Sequence, residues 1–267
     1  MVLPTAGDTL TVPRRTGGVT IYAPGEGNSI TESSPTLGQV ELITKKRAAY
    51  SELSQELSDD AIVNLADYIF LEFAHALAQQ EDKELINGTG AGATYFGVRG
   101  LLNKIGTAGV ATAATGHDTW GEIDMADMMA CGGKLPDRYF EYGASWICSY
   151  SFYNQVMARL AFAAGGVGAS EIMSGVGNVR SFAGYPVYLT SQMPTATAVS
   201  TKCCLFGAFS VAGILADRGP VRLTRSDDYK FQNDVIALKA TSRYDINIYD
   251  HGDGSNAGAY VSLSTAS

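Results

Sequence analysis

Three histidines, four cysteines and two glycine-rich runs are the residues here that could carry chemistry, and their spacing assigns none to them. A nucleophile relay needs an imidazole between a hydroxyl or thiol and an orienting carboxylate. His75 falls in the middle of a helical pattern, His117 precedes a helix-start signal, and His251 sits in a glycine-rich turn, so no triad is expected. Cys131, Cys148, Cys203 and Cys204 lack the paired spacing of a zinc site and read as free buried thiols in a reducing compartment. The run DHGDGSN (250–256) offers oxygens to calcium but lacks the closing glutamate of an EF-hand loop, so it reads as a hairpin turn. GTGAG (88–92) and GGVGAS (165–170) follow helices, whereas a phosphate-cradling loop lies between a strand and a helix. The reading therefore contains no catalytic residue, no cofactor and no metal ligand.

The charged residues are more informative. Arg14 and Arg15 form one basic cluster and Lys45, Lys46 and Arg47 another, with Glu26 and Glu32 between them in sequence. Such charges can form a solvated face; the sharper expectation is that the two glutamates meet these cations across subunits. A net charge of −8 over 267 residues argues against broad adhesion to nucleic acid, which needs clustered Lys and Arg facing phosphate. No apolar run reaches the length of a membrane span, and MVLPTAGDTL has no leader pattern, so a soluble, unexported protein is expected.

The elements that position these charges centre on Ser58–Asn87. Ser58 can cap a helix whose first turn holds Asp59 and Asp60, and Gly88 can end it in a left-handed conformation. Ile62, Leu65, Ala66, Ile69, Phe73, Ala76 and Leu77 recur at helical spacing, and the element would be roughly 40 Å long. Residues 1–18 read as an extended arm. Val19–Tyr22 and Gln39–Ala48 read as two strands joined by a long polar loop, a ribbon that is marginal alone and needs a surface to rest on. A capping box at Thr119 and Glu122 predicts a helix to Gly132 and Gly133, and Ser151 opens another with Phe152, Val156, Leu160 and Ala163 on one face, closed by Gly165 and Gly166. Strands are predicted at Ala144–Ser149, Tyr185–Thr190 and Lys202–Gly207, with a long β-type run in Tyr229–Tyr249 returning beside the first helix. The class is α+β, with a mixed α/β middle.

In this order the parts resemble a known family. The arm, the hairpin, SPTLGQVELITKKRAAYSELSQELSDD, the long helix, QQEDKELINGTGAG, AGYPVYLTSQMP and KFQNDVIALKATSRYDI together resemble the major capsid proteins of tailed phages of the Hong Kong 97 type. The resemblance covers nearly the whole chain and implies that capsid fold: an N-terminal arm (1–18), an E-loop hairpin (16–49), a P-domain with the spine helix (50–117, returning at 238–267) and an A-domain (118–237). It implies assembly into hexamers and pentamers of an icosahedral virion capsid around double-stranded DNA, put together in the host cytoplasm. The E-loop would lie over the adjacent subunit, making Arg14, Arg15, Glu26, Glu32, Lys45, Lys46 and Arg47 candidate inter-subunit contacts. A portal, a scaffolding protein and a decoration or cement protein are implied partners, with packaged DNA touched only weakly and no membrane.

Two departures shape these expectations. Some members join subunits through an isopeptide bond between an E-loop lysine and an asparagine, assisted by a glutamate. Residues 23–38 contain no lysine, and the matching positions hold Asp234 and Thr241, so no covalent cross-linking is expected. Many members begin with a helical internal scaffold, whereas Met1 here stands directly before the arm, which, if it is the native start, implies a separate scaffolding protein. The alternatives are an encapsulin-type compartment shell, disfavoured by the Gly-, Pro- and Thr-rich start, and a soluble α/β enzyme.

Overall fold

The longest strand of the protein comes from VIALKATSRYDINI, whose alternating apolar residues put one face inward. The computed structural model describes residues 1–5, 7–56, 65–92, 94–164 and 180–267. Two sheets and one long helix organise them. Three strands frame the first sheet: β12 (Val235–Ile248), β4 (Lys45–Ser54) and β10 (Gly213–Asp217). Strand β12 pairs antiparallel with β4 along one edge. Along its other edge it pairs first with β11 (Arg222–Ser226) and then with β10, to which β1 (Val2–Pro4) adds in parallel. Helix α1 (Leu65–Asn87) lies on this sheet, burying Ala66 and Phe73 against Leu53, Ile236, Leu238 and Ala240.

The second sheet has the order β5 (Val110–Thr112), β13 (Tyr260–Ser264), β9 (Lys202–Gly207), β6 (Ser145–Cys148), β8 (Tyr185–Leu189) and β7 (Ser181–Phe182). It supports the main core, in which Trp146 and Phe206 approach to 4.3 Å between centroids and Trp120 meets Phe152 edge-on at 5.4 Å. Short helices α2 (Leu101–Lys104) and α5 (Phe209–Ala212) and the longer α3 (Met125–Gly133) and α4 (150–164) complete the fold, α4 widening into a π-type turn over Tyr153–Ala158. All four cysteines are buried and free. Among the described residues no helix is long and apolar enough to cross a membrane.

A third, two-stranded sheet forms the hairpin, β2 (Thr9–Gly17) with β3 (Thr36–Ile43). Leu10, Val12, Val40 and Leu42 pack its base onto Ile214 and Ala216 of β10, which supplies the surface a lone ribbon lacks. Beyond that base, residues 18–35 form neither strand nor helix.

Several expectations change. The hairpin's first strand is Thr9–Gly17, within the stretch read as arm, and Val19–Tyr22 is loop. The run read as one strand over Gln39–Ala48 breaks at Thr44, whose N–H and hydroxyl both donate to the Asp8 carbonyl, so that β3 joins the hairpin and β4 joins the main sheet. The helix expected from Thr119 starts at Asp124, where a full capping box with Asp127 satisfies both end groups; the Thr119 and Glu122 hydrogen bonds form a preceding turn. Helix α4 starts at Tyr150, one residue before the Ser151 expected to open it, with Ser149 as its cap, and its Ala163 is exposed. On α1, Ala76 is exposed as well.

Gly88 is not left-handed. It is needed because an added Cβ would lie 2.5 Å from the Val98 carbonyl oxygen and 2.8 Å from the Gly100 nitrogen, where the returning chain crosses the helix end. The DHGDGSN segment links two strands in different sheets and so is a loop, not a hairpin turn. Ser58, the helix start and GGVGAS lie outside the described residues.

Candidate functional site

The residues expected from the sequence to meet another subunit take different places in the structure. Arg47 is the first of the expected contact residues to be placed, and it is turned inward. Its guanidinium is 2% exposed and pairs with the fully buried Glu84 of α1, Nη2 to Oε2 at 2.5 Å and Nε to Oε1 at 3.3 Å. It also donates through Nη1 to the carbonyls of Lys45 and Tyr244. The rings of Tyr244 and Phe96 lie 3.9 and 4.8 Å from it. Such a charge is tolerated only because donors and acceptors are matched. Arg47 thus ties β4, β12, α1 and the loop carrying Phe96 together within one chain and is not presented to a neighbour.

Lys45 stays at the surface but caps the same loop, Nζ to Phe96 O at 2.5 Å. Lys46 is exposed and stands opposite Arg243 across the β4–β12 pair. Arg14 is half-buried on β2 and lines a cleft of about 960 Å³ between hairpin and body, with Lys134, Arg138, Tyr139, Asp250 and Asp253. Arg15 pairs with Leu37 through the backbone; its side chain is outside the described set. Glu26 and Glu32 sit in the exposed loop 18–35, and Glu32 accepts a local hydrogen bond from Ser34 at 3.2 Å. That loop also exposes Ile21 at 93% and Ile30 at 79%.

Sequence reasoning missed two features. Glu84 reads as polar helix surface, yet it follows Phe73 and Leu77 at helical spacing, which is the signal that it faces inward. The second is a groove of about 460 Å³ lined by Lys46, Arg218, Arg222, Lys239 and Arg243 and by no acidic residue. Its signal is the same-parity run Lys239, Thr241, Arg243 in β12.

His117, Asp124 and Asp127 bring ligand-type atoms within 4.8 Å of one another. Their oxygens are already engaged. Asp127 accepts from the Ala114 and Asp124 N–H groups and meets His117 Nδ1 at 2.6 Å, while Asp124 accepts from the Asp127 N–H. The group caps α3. Hydrogen bonding to Asp127 raises the His117 pKa. Burial alone would raise that of Asp127, but the bonds from His117 and the two backbone N–H groups outweigh it and hold the carboxyl below its usual value.

The fold matches the chain titled as the capsid of an empty GTA particle with a TM-score of 0.73, at 18% identity, covering 100% of this chain and 87% of that one. A chain of Microbacterium phage Oxtober96 matches at TM-score 0.72 and 13% identity, covering 99% and 88%. A chain of Mycobacterium phage Adephagia matches at 0.70 and 14%, covering 99% and 87%. No curated protein matches. The family model described as "Phage capsid family" matches residues 1–252, and the chain therefore belongs to the phage capsid family.

Proposed function

We propose that this major capsid protein closes an icosahedral shell around a phage double-stranded DNA genome from hexamers and pentamers of one sequence, held by non-covalent contacts alone. Its work is assembly, not turnover. The observation that carries the reading is loop 18–35, which holds Ile21 and Ile30 largely in solvent and Tyr22 half-exposed among the described residues. A neighbouring subunit supplies the missing surface, since exposed apolar groups of this size gain by burial.

The division into arm (1–18), E-loop (16–49), P-domain (50–117 and 238–267) and A-domain (118–237) belongs to the same proposal. In the fold, β10 and β11 pair into the sheet built on β12, and β13 lies between β5 and β9, so strands from each stretch cross into the other's sheet. Glu26 and Glu32 are proposed to meet Arg14, Arg15, Lys45 and Lys46 of a neighbour; Arg47 serves that contact only by fixing β4 from inside. The absence of lysine in 23–38 and the presence of Asp234 and Thr241 support a shell without isopeptide bonds. A scaffolding protein, a portal, a cement protein and weakly held DNA are the proposed partners, with assembly in the host cytoplasm.

The test is sedimentation velocity of the protein co-expressed with its phage's head proteins, followed by electron microscopy of the fastest fraction. Closed particles are expected. Paired Glu26→Lys and Lys46→Glu changes should restore closure that either alone weakens. A preparation that stays near 28.2 kDa under all these conditions would refute the proposal.

A further inference from the structure

Helix α1 turns one face to the sheet and leaves the other uncovered. Ala66 and Phe73, with Ile69, Phe70 and Leu77, pack inward. On the far side Tyr68, Leu71, His75, Ala78 and Asp82 are all exposed. Their alternating steps of three and four residues keep them in one line along the helix, the spacing of a helix–helix seam. The line runs about 21 Å, or roughly four turns. Tyr68 is 57% and Leu71 62% exposed, so its first half is the apolar part. Ala74 and Ala78, both exposed and one turn apart, keep the middle shallow enough for a second helix to approach to about 8–10 Å between axes. The charge beside this line has one sign. The exposed residues of α1 include Asp67, Glu72 and Asp82 and no Lys or Arg; Lys83 is half-buried, with Nζ 5.9 Å from the Tyr95 ring. Glu72 and Asp82 make no ion pair among the described residues.

We propose that this face docks a basic amphipathic helix of a different polypeptide, the scaffolding protein of the shell reading. Its apolar residues, at the same spacing, lie over Tyr68 and Leu71, with Lys or Arg beside Glu72 and Asp82. The inference rests on the shell reading for the partner's identity and deepens it by naming the receiving residues. Charge selects the occupant. A second α1 laid on the first would set the Glu72 and Asp82 carboxylates of both copies along one seam, and the same groups repel nucleic-acid phosphate. A four-turn helix held by two large apolar anchors binds one subunit weakly, but a scaffold engaging many subunits gains from multivalency. Attachment is then firm across a growing shell and reversible at any single subunit.

The test uses the full chain and a fluorescent three-heptad peptide with Leu at the seam positions and Lys flanking them. A control peptide of identical composition has its leucines spread around the helix. Anisotropy should show the seam peptide binding about tenfold tighter than the control. Leu71→Asp should weaken that binding about tenfold, as should Glu72→Lys with Asp82→Lys, with thermal midpoints unchanged because all three positions are exposed. Equal binding of the two peptides, or a seam peptide indifferent to these changes, would overturn the docking. The four native cysteines are buried, so a Leu71→Cys chain can be labelled there with a benzophenone maleimide and photolysed with the scaffolding protein of its phage. An adduct on a basic amphipathic helix of that protein is expected; adducts only between copies of this chain would overturn the proposal and assign the face to a second copy. Shells that close while the seam peptide shows no preference would overturn the docking and leave the shell reading intact. Seam-specific binding by a chain that stays near 28.2 kDa beside its phage's head proteins would uphold the docking face and overturn the shell reading.

Discussion

At the scale of single residues, the Arg47–Glu84 pair is a fully buried ion pair that is costly to break from one side. Both charges are desolvated, so removing one partner strands the other. Arg47→Met or Glu84→Leu alone should cost about 3–5 kcal/mol of stability, whereas the double change should cost much less than the sum. Urea unfolding of the four proteins checks this, and simple additivity would contradict the pair's role. His117 and Asp127 give a dependence on pH. The raised His117 pKa contributes stability that is complete below its ordinary value of 6.5 and is lost as pH rises through the folded value. The lowered Asp127 pKa contributes stability that is complete above 3.8 and is lost as pH falls through its folded value. The pair therefore helps most between those two limits. His117→Gln should flatten the decline in Tm between about pH 6 and pH 9 relative to wild type, a difference that a pH series of thermal melts would detect.

At the scale of elements, the end of α1 and the strand-like return at Val98–Gly100 are held at backbone contact. Gly88 N donates to the Glu84 carbonyl at 3.2 Å, Gly100 N to the Gly88 carbonyl at 2.8 Å, and Asn103 Nδ2 to the same carbonyl at 3.0 Å. A Cβ on Gly100 would stand 2.6 Å from Gly88 N and from Ile86 O. Because the obstructing atoms are backbone, they cannot swing away as a side-chain tip could. Gly88→Ala and Gly100→Ala are each expected to cost about 1–3 kcal/mol or to abolish soluble expression, while Gly92→Ala, with nothing within 4 Å and only its positive φ to strain, should be milder. Denaturant midpoints for the three variants would rank them, and an equal ranking would show that the crossing is looser than its geometry.

At the scale of the whole molecule, a shell without covalent links has a simple signature. Purified particles heated in detergent should run only as the 28.2 kDa chain, and a ladder of larger bands would reveal cross-links despite the missing lysine. Much of the architecture was legible in the sequence because it is written in short-range pattern. Lys202–Gly207 was read at its bounds, and the described part of the long helix, Leu65–Asn87, and the long strand Val235–Ile248 fall where they were read, since each follows from apolar period. The hairpin's first strand was not legible: Pro13, Arg14 and Arg15 have weak strand character, and only pairing with β3 makes Thr9–Gly17 a strand. The contact residues divide in the same way. That Arg14, Lys45, Lys46, Glu26 and Glu32 are charged and clustered is a property of the sequence. That Arg47 is buried while its neighbour Lys46 is exposed follows from alternation, but which parity faces inward was decided by β12 and α1 closing over one side of β4. Likewise Arg218, Arg222, Lys239 and Arg243 become one surface only when β11 and β12 pair. Local propensity and period are carried by neighbours in the chain, whereas burial and charge clustering depend on residues up to about 200 positions apart, and those only the tertiary structure brings together.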